Sequence, residues 1–519
     1  MSRFVRASKY RHVFGQQGKK EYGFDNVKVT NSAWDTNVIS ASTRYVSLNW
    51  QSSGGGAFAI LPLPSPFAPL PTGFPSKLPD LVPLARSHTA PVLDTDWSPF
   101  NDSIVASAGE DGKAMIWKVD SGAFDGWGLD GWEPQDFDPV ARIDVSPRRV
   151  GHVLFHPTAN NVLATSTGDH HVKLWDLANP ESPKSVLGGH ADAIQSLVFN
   201  PWGTLLATTC RDRKIRIFDP RAGSDPVRVG EGHGGIKGAR VVWMGDKDRL
   251  ATTGFSKMSD RQVAIWETGS LANVKTLTID QTSGVLMPFW TDNNILFLAG
   301  KGDGNIRYYE YEHDNLFPLA EYKSSDPQRG MCFLPRRGLS VSDCEIARAL
   351  KVAASSIEAI AFIVPRKAES FQSDIYPPAP SAEPALSAAE FFSGKTAPPK
   401  LVSLDDGSVF SASGSAPVAP SAEAPAPTPA PTKTTSAPPP AAAPAPVIAV
   451  HEEPAPAPRA EPTRSQTIPH DDSTVSALKE ENARLNAELR EARAQIRNLE
   501  LQVETVRANA RKAAALLES

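Results

Sequence analysis

Five segments of this 519-residue chain align without gaps, and in each an Asp stands six residues before an aromatic residue. An alternating or apolar run lies between the two, which is the pattern of a strand that follows a tight turn. A second aromatic residue precedes each Asp by 13 to 17 residues, so every unit reads strand, turn, strand, Asp turn, strand. The segments are DGKAMIWKV (111–119), DHHVKLWDL (169–177), DRKIRIFDP (212–220), DRQVAIWET (260–268) and DGNIRYYEY (303–311).

The spacing of these units indicates the fold class. The aromatic residues that close them are separated by 58, 43, 48 and 43 residues, close to the period of about 40 to 45 residues of propeller blades with four strands each. Residues 25–85 and 320–370 are each long enough for one more blade. We therefore predict an all-β protein with a seven-bladed β-propeller, closed by pairing N-terminal against C-terminal strands so that no edge is left open.

The repeats resemble the WD40 family of β-propellers, in which a hydrogen-bonded tetrad ties together the strands of a blade. In the first unit this tetrad is expected to consist of His88, Ser107, Asp111 and Trp117. The second and fifth units lack the histidine, and the third ends in Phe218, which has no N–H to donate. The remaining predicted structural residues are Asp169, Trp175, His190, Asp212, His233, Asp260 and Trp266.

Two features could suggest an active site. His, Ser and Asp recur together, but a catalytic triad is assembled once, whereas this set returns in successive repeats. The glycines of SSGGGAFAILPL (52–63) precede several prolines rather than a helix, so they predict a turn into an inner strand of the N-terminal blade and not a phosphate loop. We predict no enzymatic activity, no catalytic residue, no metal site and no cofactor.

Composition divides the chain into four parts. Residues 1–370 form the predicted propeller, with repeats around 88–118, 150–176, 190–219, 233–267 and 280–310. Residues 371–410 are broken by prolines but keep several aromatic residues, so this extension is expected to pack on the propeller. Residues 411–473 contain 16 prolines, 16 alanines and no aromatic residue, which predicts a disordered linker.

The last part, residues 474–519, has neither Gly nor Pro and shows six heptads with apolar residues at positions a and d. This pattern predicts an α-helical coiled coil, since a single solvated helix of this kind is marginally stable. Asn482 is the one polar residue at these positions. The predicted core includes Leu478, Asn482, Leu485, Leu489, Ile496, Leu499, Val503 and Val506.

Several longer motifs resemble the coronin family, actin-filament-binding WD-repeat proteins, and in particular short, fungal-type members with a C-terminal coiled coil. The resemblance covers about residues 1–405 and recurs in form in the coiled coil. Its motifs are RASKYRHVFGQ (6–16), SGGGAFAILPL (53–63), HTAPVLDTDWSP (88–99), QRGMCFLPRRGL (328–339) and DIYPP (374–378).

The resemblance implies a protein that binds and bundles actin filaments and regulates branched actin assembly and turnover. Its implied partners are F-actin, the actin-related-protein nucleating complex, cofilin-type severing factors and copies of itself. A trimer is favoured, but Gln495 replaces the Arg that would bridge to Glu500 in the family's trimer pattern, and Asn482 also leaves a dimer open. The implied location is the cytoplasm, at cortical actin structures of the actin cytoskeleton.

Alternation predicts a strand at NVKVT (26–30). The family's actin contact includes a basic residue in this strand, which corresponds to Lys28. The basic N-terminus and a basic blade turn could add to this contact, although charges at such places are often simply solvated. The candidate actin-binding residues are Lys28, Arg6, Lys9, Arg11, Arg211, Arg213 and Lys214.

A second function remains open, in which the propeller is a scaffold for vesicle trafficking or for substrate recognition by a ubiquitin ligase, with peptides bound at the central channel. No apolar run approaches the roughly 18 to 20 residues that span a bilayer, and the N-terminus lacks a signal-peptide core. Cys210, Cys332 and Cys344 have no paired spacing. We therefore expect a soluble cytoplasmic protein without a transmembrane segment or a nucleic-acid partner.

Overall fold

A computed structural model describes residues 6–19, 23–53, 56–63, 75–367 and 370–414. The predicted coiled coil (474–519) and residues 415–473 of the predicted linker lie outside these ranges. Within them almost all regular structure is β-sheet, with one α-helix, α1 (Ala388–Phe392), and 3-10 turns at Ser121–Phe124 and Arg336–Gly338.

The strands are short and follow one another closely along the chain. In order they are β1 (Phe14–Gln17), β2 (Phe24–Asp25), β3 (Ile39–Ala41), β4 (Tyr45–Trp50), β5 (Gly56–Pro62), β6 (Leu84–His88), β7 (Val92–Trp97), β8 (Ile104–Gly109), β9 (Lys113–Lys118), β10 (Pro139–Asp144), β11 (Val150–Phe155), β12 (Val162–Thr167), β13 (Val172–Asp176), β14 (Ser185–Leu187), β15 (Ile194–Phe199), β16 (Leu206–Cys210), β17 (Lys214–Phe218), β18 (Arg228–Glu231), β19 (Arg240–Trp243), β20 (Arg249–Phe255), β21 (Arg261–Glu267), β22 (Asn273–Asp280), β23 (Leu286–Thr291), β24 (Ile295–Gly300), β25 (Ile306–Glu312), β26 (Asn315–Tyr322), β27 (Gly330–Phe333), β28 (Glu345–Val352), β29 (Ser356–Ile363), β30 (Ala379–Pro380), β31 (Lys400–Val402) and β32 (Val409–Ser411).

Across the described ranges these strands form seven antiparallel blades and one small sheet. Blade 1 is β3–β6, blade 2 is β7–β10, blade 3 is β11–β14, blade 4 is β15–β18, blade 5 is β19–β22 and blade 6 is β23–β26. Blade 7 combines β27–β29 with β1, which pairs with β29 from Phe14 opposite Ile363 to Gln17 opposite Ile360, and β2 pairs with the start of β29. The prediction of an all-β, seven-bladed propeller closed by its two ends is confirmed.

The first strand of each blade lines a central channel. Neighbouring first strands are tied by side chains, because the Asp94 and Asp96 carboxylates of β7 accept from the Val153 and Phe155 amides of β11 at 3.2 and 2.7 Å. We call the face that carries the turns between the second and third strands the upper face. The lower face carries the turns between the first and second strands.

The core lies between the blades, because each sheet is covered on both sides by its neighbours. The six residues of β4 and the eight of β28 are therefore all buried. Phe58 of blade 1 meets Trp117 of blade 2 edge-on, with ring centroids 5.3 Å apart. Runs that are buried at every position are typical of strands covered on both faces, and the charged side chains among them are paired, as Glu345 is with Arg348 at 2.6 Å.

The extension predicted at 371–410 packs on the lower face. Ile375 and Tyr376 are buried in one core cluster with Tyr10. Further along, α1 begins at the capping box of Ser387 and Glu390, and the Phe391 ring lies 4.3 Å from the His156 ring of blade 3. The sheet β30–β31–β32 completes this segment.

Two local predictions were wrong. The predicted strand at residues 26–30 is an isolated bridge between Val29 and Trp50, because the Val27 amide donates to blade 7 while only the residues around Val29 pair with blade 1. The strand after the glycines, β5, is the third strand of blade 1 and not an inner one. A Cβ on Gly56 would lie 2.0 Å from the Ala90 carbonyl oxygen, so this position requires glycine.

Candidate functional site

The structure brings the four residues of the first predicted tetrad together. His88 Nδ1 lies 3.0 Å from the Asp111 carboxylate and His88 Nε2 lies 2.7 Å from Ser107 Oγ. The Trp117 indole N–H donates to the same hydroxyl at 2.8 Å. His88 ends β6, so the tetrad joins blade 1 to blade 2 and does not lie within one blade as the repeat pattern predicts. Ser107 is fully buried and engaged by two partners, so this hydroxyl is not placed to attack a substrate.

Blades 3 and 5 keep parts of this arrangement. In blade 3, Trp175 donates to Thr165 Oγ1 at 3.0 Å, and the Asp169 carboxylate lies 3.9 Å from His171 Nδ1. In blade 5, one hydroxyl, Thr252 Oγ1, lies 2.8 Å from His233 and accepts from Trp266 at 2.7 Å. Asp260 accepts instead from Ser256 at 2.7 Å, without reaching the histidine.

Blade 4 replaces the tetrad with an ion pair. His190 Nε2 lies 2.9 Å from Thr208 Oγ1, but the Asp212 carboxylate is taken by Arg216, with Nη2 to Oδ2 at 2.6 Å. Burial opposes ionisation of Asp212, yet the bonds from Arg216 outweigh it and hold the pKa of Asp212 well below its usual value. Phe218, which lacks an indole N–H, is fully buried. All these residues stabilise blades and their junctions.

A segment at residues 32–37, which we call the strap, crosses the upper mouth of the channel. Trp34 Nε1 donates to the Gly151 carbonyl of blade 3 at 2.9 Å, and Thr36 Oγ1 donates to the Leu93 carbonyl of blade 2 at 2.5 Å. The Asn37 carbonyl accepts from the Met331 amide of blade 7. The strap thus ties blades from different parts of the ring.

The charged anchor of the strap is Asp35. Its Oδ1 lies 2.9 Å from Arg240 Nη2 of blade 5 and 2.8 Å from Lys301 Nζ of blade 6. Burial opposes ionisation, but these two cations outweigh it and hold the pKa of Asp35 well below its usual value. The carboxylate therefore stays ionised and stabilises the closed mouth at neutral pH.

Below the strap the channel contains a cavity of about 500 Å³. Thr36 lines one part of its wall, and Pro380 of the extension lines another. Burial raises the pKa of Asp94 to about 8 and that of Asp96 to about 7, so the wall carries less negative charge at pH 7 than its sequence suggests.

Four of the seven candidate actin-binding residues lie on the upper face. Lys28 comes directly after Val27, whose amide donates to the Ser355 carbonyl in the β28–β29 turn. The Lys28 carbonyl accepts from the Gln51 amide in the β4–β5 turn. Its side chain is 45% exposed, with Nζ 3.3 Å from the Asp80 carbonyl and 3.7 Å from the Asp80 carboxylate. The other three occupy the β16–β17 turn of blade 4 or the residue after it, and they are Arg211, Arg213 and Lys214.

The three remaining candidates lie on the lower face, across the thickness of the propeller from Lys28. Arg6 pairs with Glu310 and, at 2.6 Å, with Glu312 at the lower end of β25, and its guanidinium lies 4.4 Å from the Phe317 ring centroid. Lys9 donates to the Asp374 carbonyl of the extension. Arg11 is half-buried in the same N-terminal turn. One flat contact cannot include both groups.

The described ranges contain no group of three His, Cys, Asp or Glu residues placed to hold a metal ion. Their cysteines, Cys210, Cys332 and Cys344, are buried and free. Across the same residues we find no helix with the length and apolar character to cross a membrane.

Family models match most of the propeller. A domain of unknown function, DUF1899, matches residues 3–67, the WD domain (G-beta repeat) matches 81–118, 139–176 and 181–219, and a further type of WD40 repeat matches 357–399. The WD40 matches agree with the predicted WD40-type propeller. DUF1899 spans the N-terminal region that carries Lys28 and the strap.

Curated relatives and a solved structure extend this similarity. Coronin-like protein crn1 of Schizosaccharomyces pombe is 52% identical over 425 residues, which are 81% of this chain and 67% of the relative. The coronin-like protein of Saccharomyces cerevisiae is 48% identical over 412 residues, 78% of this chain but 61% of the relative, so the match spans less than two thirds of that protein. The crystal structure of the WD40 domain from Toxoplasma gondii coronin matches with a TM-score of 0.68 at 29% identity, covering 76% of this chain and 97% of that one.

Proposed function

This chain belongs to the coronin family, and we propose that it binds actin filaments through the upper face of its propeller. Coronins and WD40 propellers are scaffolds rather than enzymes, so the proposed activity is binding and organisation of filaments. The observation that carries the proposal is the position of Lys28, which corresponds to the basic residue of the family's actin contact and is exposed on that face.

The surroundings of Lys28 support a role in binding. Its ion pair with Asp80 is loose, at 3.7 Å, and both groups are solvent-exposed. An exposed pair of this kind contributes about 1 kcal/mol or less to folding, so Lys28 can exchange Asp80 for an acidic group on a partner at little cost. The filament surface is acidic, and a positive rim would steer its association and weaken as salt rises.

The proposed filament contact includes Arg211, Arg213 and Lys214 but not the N-terminal candidates. Arg6 and Lys9 already bind groups of blade 6 and the extension on the lower face. Withdrawing Arg6 would leave Glu310 and Glu312 without their shared cation. These N-terminal cations are therefore assigned to holding the chain on the propeller.

Filament crosslinking is proposed to depend on residues 474–519, which carry the predicted coiled coil and lie outside the described residues. Linking propellers, preferably as trimers, raises the effective concentration of the second filament contact. Regulation of branched assembly through the actin-related-protein nucleating complex and cofilin-type severing factors is proposed from family membership. A location in the cytoplasm, at the cortical actin cytoskeleton, is proposed on the same ground.

The alternative function is less well supported. In it, the propeller would be a trafficking or ubiquitin-ligase scaffold that recognises peptides at the channel. The strap covers the upper mouth and is held by contacts to blades 2, 3, 5, 6 and 7. A peptide entering from that side would have to displace the ion pairs of Asp35. The upper rim of the propeller is the more accessible surface.

The proposal is tested by filament co-sedimentation of the full chain, its Lys28→Asp variant and a chain lacking residues 474–519. Lys28→Asp should weaken binding by about tenfold or more, because it places like charge against the acidic filament. Removing 474–519 should reduce bundling, measured at low speed, far more than single-filament binding, measured at high speed.

The matched control is Lys184→Asp, a charge reversal at an exposed lower-face lysine. This variant should bind like the parent chain. Full-length protein that stays in the supernatant at low salt would contradict the proposal.

A further inference from the structure

Two exposed apolar side chains lie in adjoining turns of the upper face. Ile236, in the connection from blade 4 to blade 5, is 62% exposed, and Met258, in the β20–β21 turn, is 83% exposed. The turns are held together, because the Gly235 amide donates to the Phe255 carbonyl at 2.8 Å. Among the described residues Met258 is the most exposed large apolar side chain.

Three cations surround this apolar pair. Arg213 lies beside the first turn, since its carbonyl accepts from the Gly232 amide at 2.7 Å. Lys237 follows Ile236, and Lys257 precedes Met258; all three cations are exposed. We call Arg213, Ile236, Lys237, Lys257 and Met258 the blade 4–5 rim.

The positive charge of the rim is not neutralised locally. In the part of the chain that the structure describes, the neighbouring ion pairs are Arg211–Asp192, Lys214–Glu231 and Arg216–Asp212, and none includes a rim residue. Asp260, the nearest remaining carboxylate in sequence, accepts from Ser256 and Gln281. The rim therefore presents three cations around two apolar side chains.

The rim is also built on rigid backbone. A Cβ on Gly235 would lie 2.8 Å from both the Phe255 Cβ and the Phe255 carbonyl oxygen, so the two turns are in close contact. Lys237 Nζ lies 4.9 Å from the centroid of the Phe255 ring, which limits the freedom of that side chain. Protein-binding surfaces usually combine apolar groups with a polar rim, and a rigid arrangement lowers the entropic cost of binding.

We propose that the blade 4–5 rim is a second docking surface on the upper face, one that accepts an acidic protein surface bearing an apolar side chain. This inference rests on the proposed function, and its partner is the side of the actin filament. Lys28 lies between blades 7 and 1, so blades 4 and 5 stand across the ring from it. Two separated contacts on one face would fix the orientation of the propeller on the filament, which Lys28 alone cannot do.

The test compares two double variants of the full chain in filament co-sedimentation. Ile236→Ser with Met258→Ser removes the apolar pair, and Lys237→Glu with Lys257→Glu reverses two of the cations. Each should weaken filament binding by about tenfold, and the charge variant should also lower the salt dependence of binding. Unchanged thermal unfolding midpoints show that the variants remain folded, as expected for exposed positions.

Matched controls come from the lower part of the molecule. Leu129→Ser with Val140→Ser removes two apolar side chains of comparable exposure in and beside the β9–β10 insertion. Lys118→Glu with Lys184→Glu makes the same change in net charge at exposed sites. Both control variants should bind filaments like the parent chain.

The outcomes separate this inference from the proposed function. A parent chain that fails to bind filaments overturns both. If the parent binds and Lys28→Asp weakens binding, but both rim variants behave like their controls, the rim inference alone is overturned. It is also overturned if the rim variants lose binding to phosphatidylserine vesicles while keeping full filament affinity, since the occupant would then be a membrane surface.

Discussion

The two faces of the propeller use the same kinds of side chain in opposite ways. On the lower face, Arg6, Lys9 and Arg336 donate to carboxylates or carbonyls of distant segments and hold the N-terminus and the extension in place. On the upper face, Arg213 and Lys257 are exposed, and the ion pairs that the structure describes beside Arg213 do not include either of them. Arg240 and Lys301 are structural exceptions on the upper face, where they hold Asp35 of the strap. A basic residue therefore takes its role from the chain segment that lies beside it.

The difference follows from where the chain enters and leaves the ring. Because β1 pairs with β29, the N-terminal segment and the extension both reach blade 7 at the lower face. Their side chains must pack there, and apolar residues such as Tyr10 and Ile375 are buried together. On the upper face the strap spans the channel mouth, and the turns around it remain open to a partner.

The largest expected effect comes from exchanging one isoleucine on each face for alanine. Ile375 is fully buried, whereas Ile236 is 62% exposed. Ile375→Ala should lower the free energy of unfolding by about 3 kcal/mol through lost burial and a new cavity, while Ile236→Ala should change it by less than about 0.5 kcal/mol. Chemical denaturation measures both free energies of unfolding. Filament affinity should fall more for Ile236→Ala than for Ile375→Ala. Equal losses of stability would remove the distinction between the faces.

A smaller effect is expected at the strap, where Asp35→Asn leaves Arg240 and Lys301 without their shared carboxylate. Removing one partner of a buried pair usually costs about 3–5 kcal/mol. The Asp35 side chain is 30% exposed, and solvent screening weakens its ion pairs. A loss of about 2 kcal/mol in the free energy of unfolding is therefore expected at pH 7. Thermal or chemical unfolding of the two proteins in the same buffer measures the difference.

The pH dependence of that difference identifies its cause. The pKa of Asp35 is lowered in the folded protein, so its contribution is fully present above the unfolded value of about 3.9 and is lost as the pH falls below it. The difference in free energy of unfolding between the parent chain and Asp35→Asn should therefore be constant near neutrality and shrink below about pH 4. A gap that does not change down to pH 3 would show that the aspartate acts by shape and not by charge.

Much of the fold could be predicted from the sequence, because the Asp turn and the aromatic residue recur at the spacing of blades. Blade closure was also predicted, since an open ring would leave two strand edges unpaired. The alternation of buried and exposed residues predicted a strand wrongly where the segment does not pair along its length with one neighbouring strand. Val27 and Val29 are buried on either side of the exposed Lys28, as in a strand, yet the segment divides its hydrogen bonds between blades 7 and 1 and forms one bridge.

The site was less predictable, because its residues are defined by contacts between distant segments. Arg6 meets Glu310 across 304 positions of sequence, so its lower-face location could not be read from its basic neighbours. His88 belongs to the sheet before the one that its repeat forms. Ile236 and Met258 were missed because an apolar residue in a turn gives no sign of its exposure; the glycines of EGHGGI were the nearest available signal.

Hydrogen exchange of the full chain with and without actin filaments distinguishes the two faces, because it reports which of them the filament covers. We expect slower amide exchange in the upper-face segments around Lys28 and in the turns at 211–214, 233–238 and 256–260. Exchange in the lower-face extension at 371–410 should not change. Protection of the extension, with unchanged exchange in the upper turns, would contradict the account.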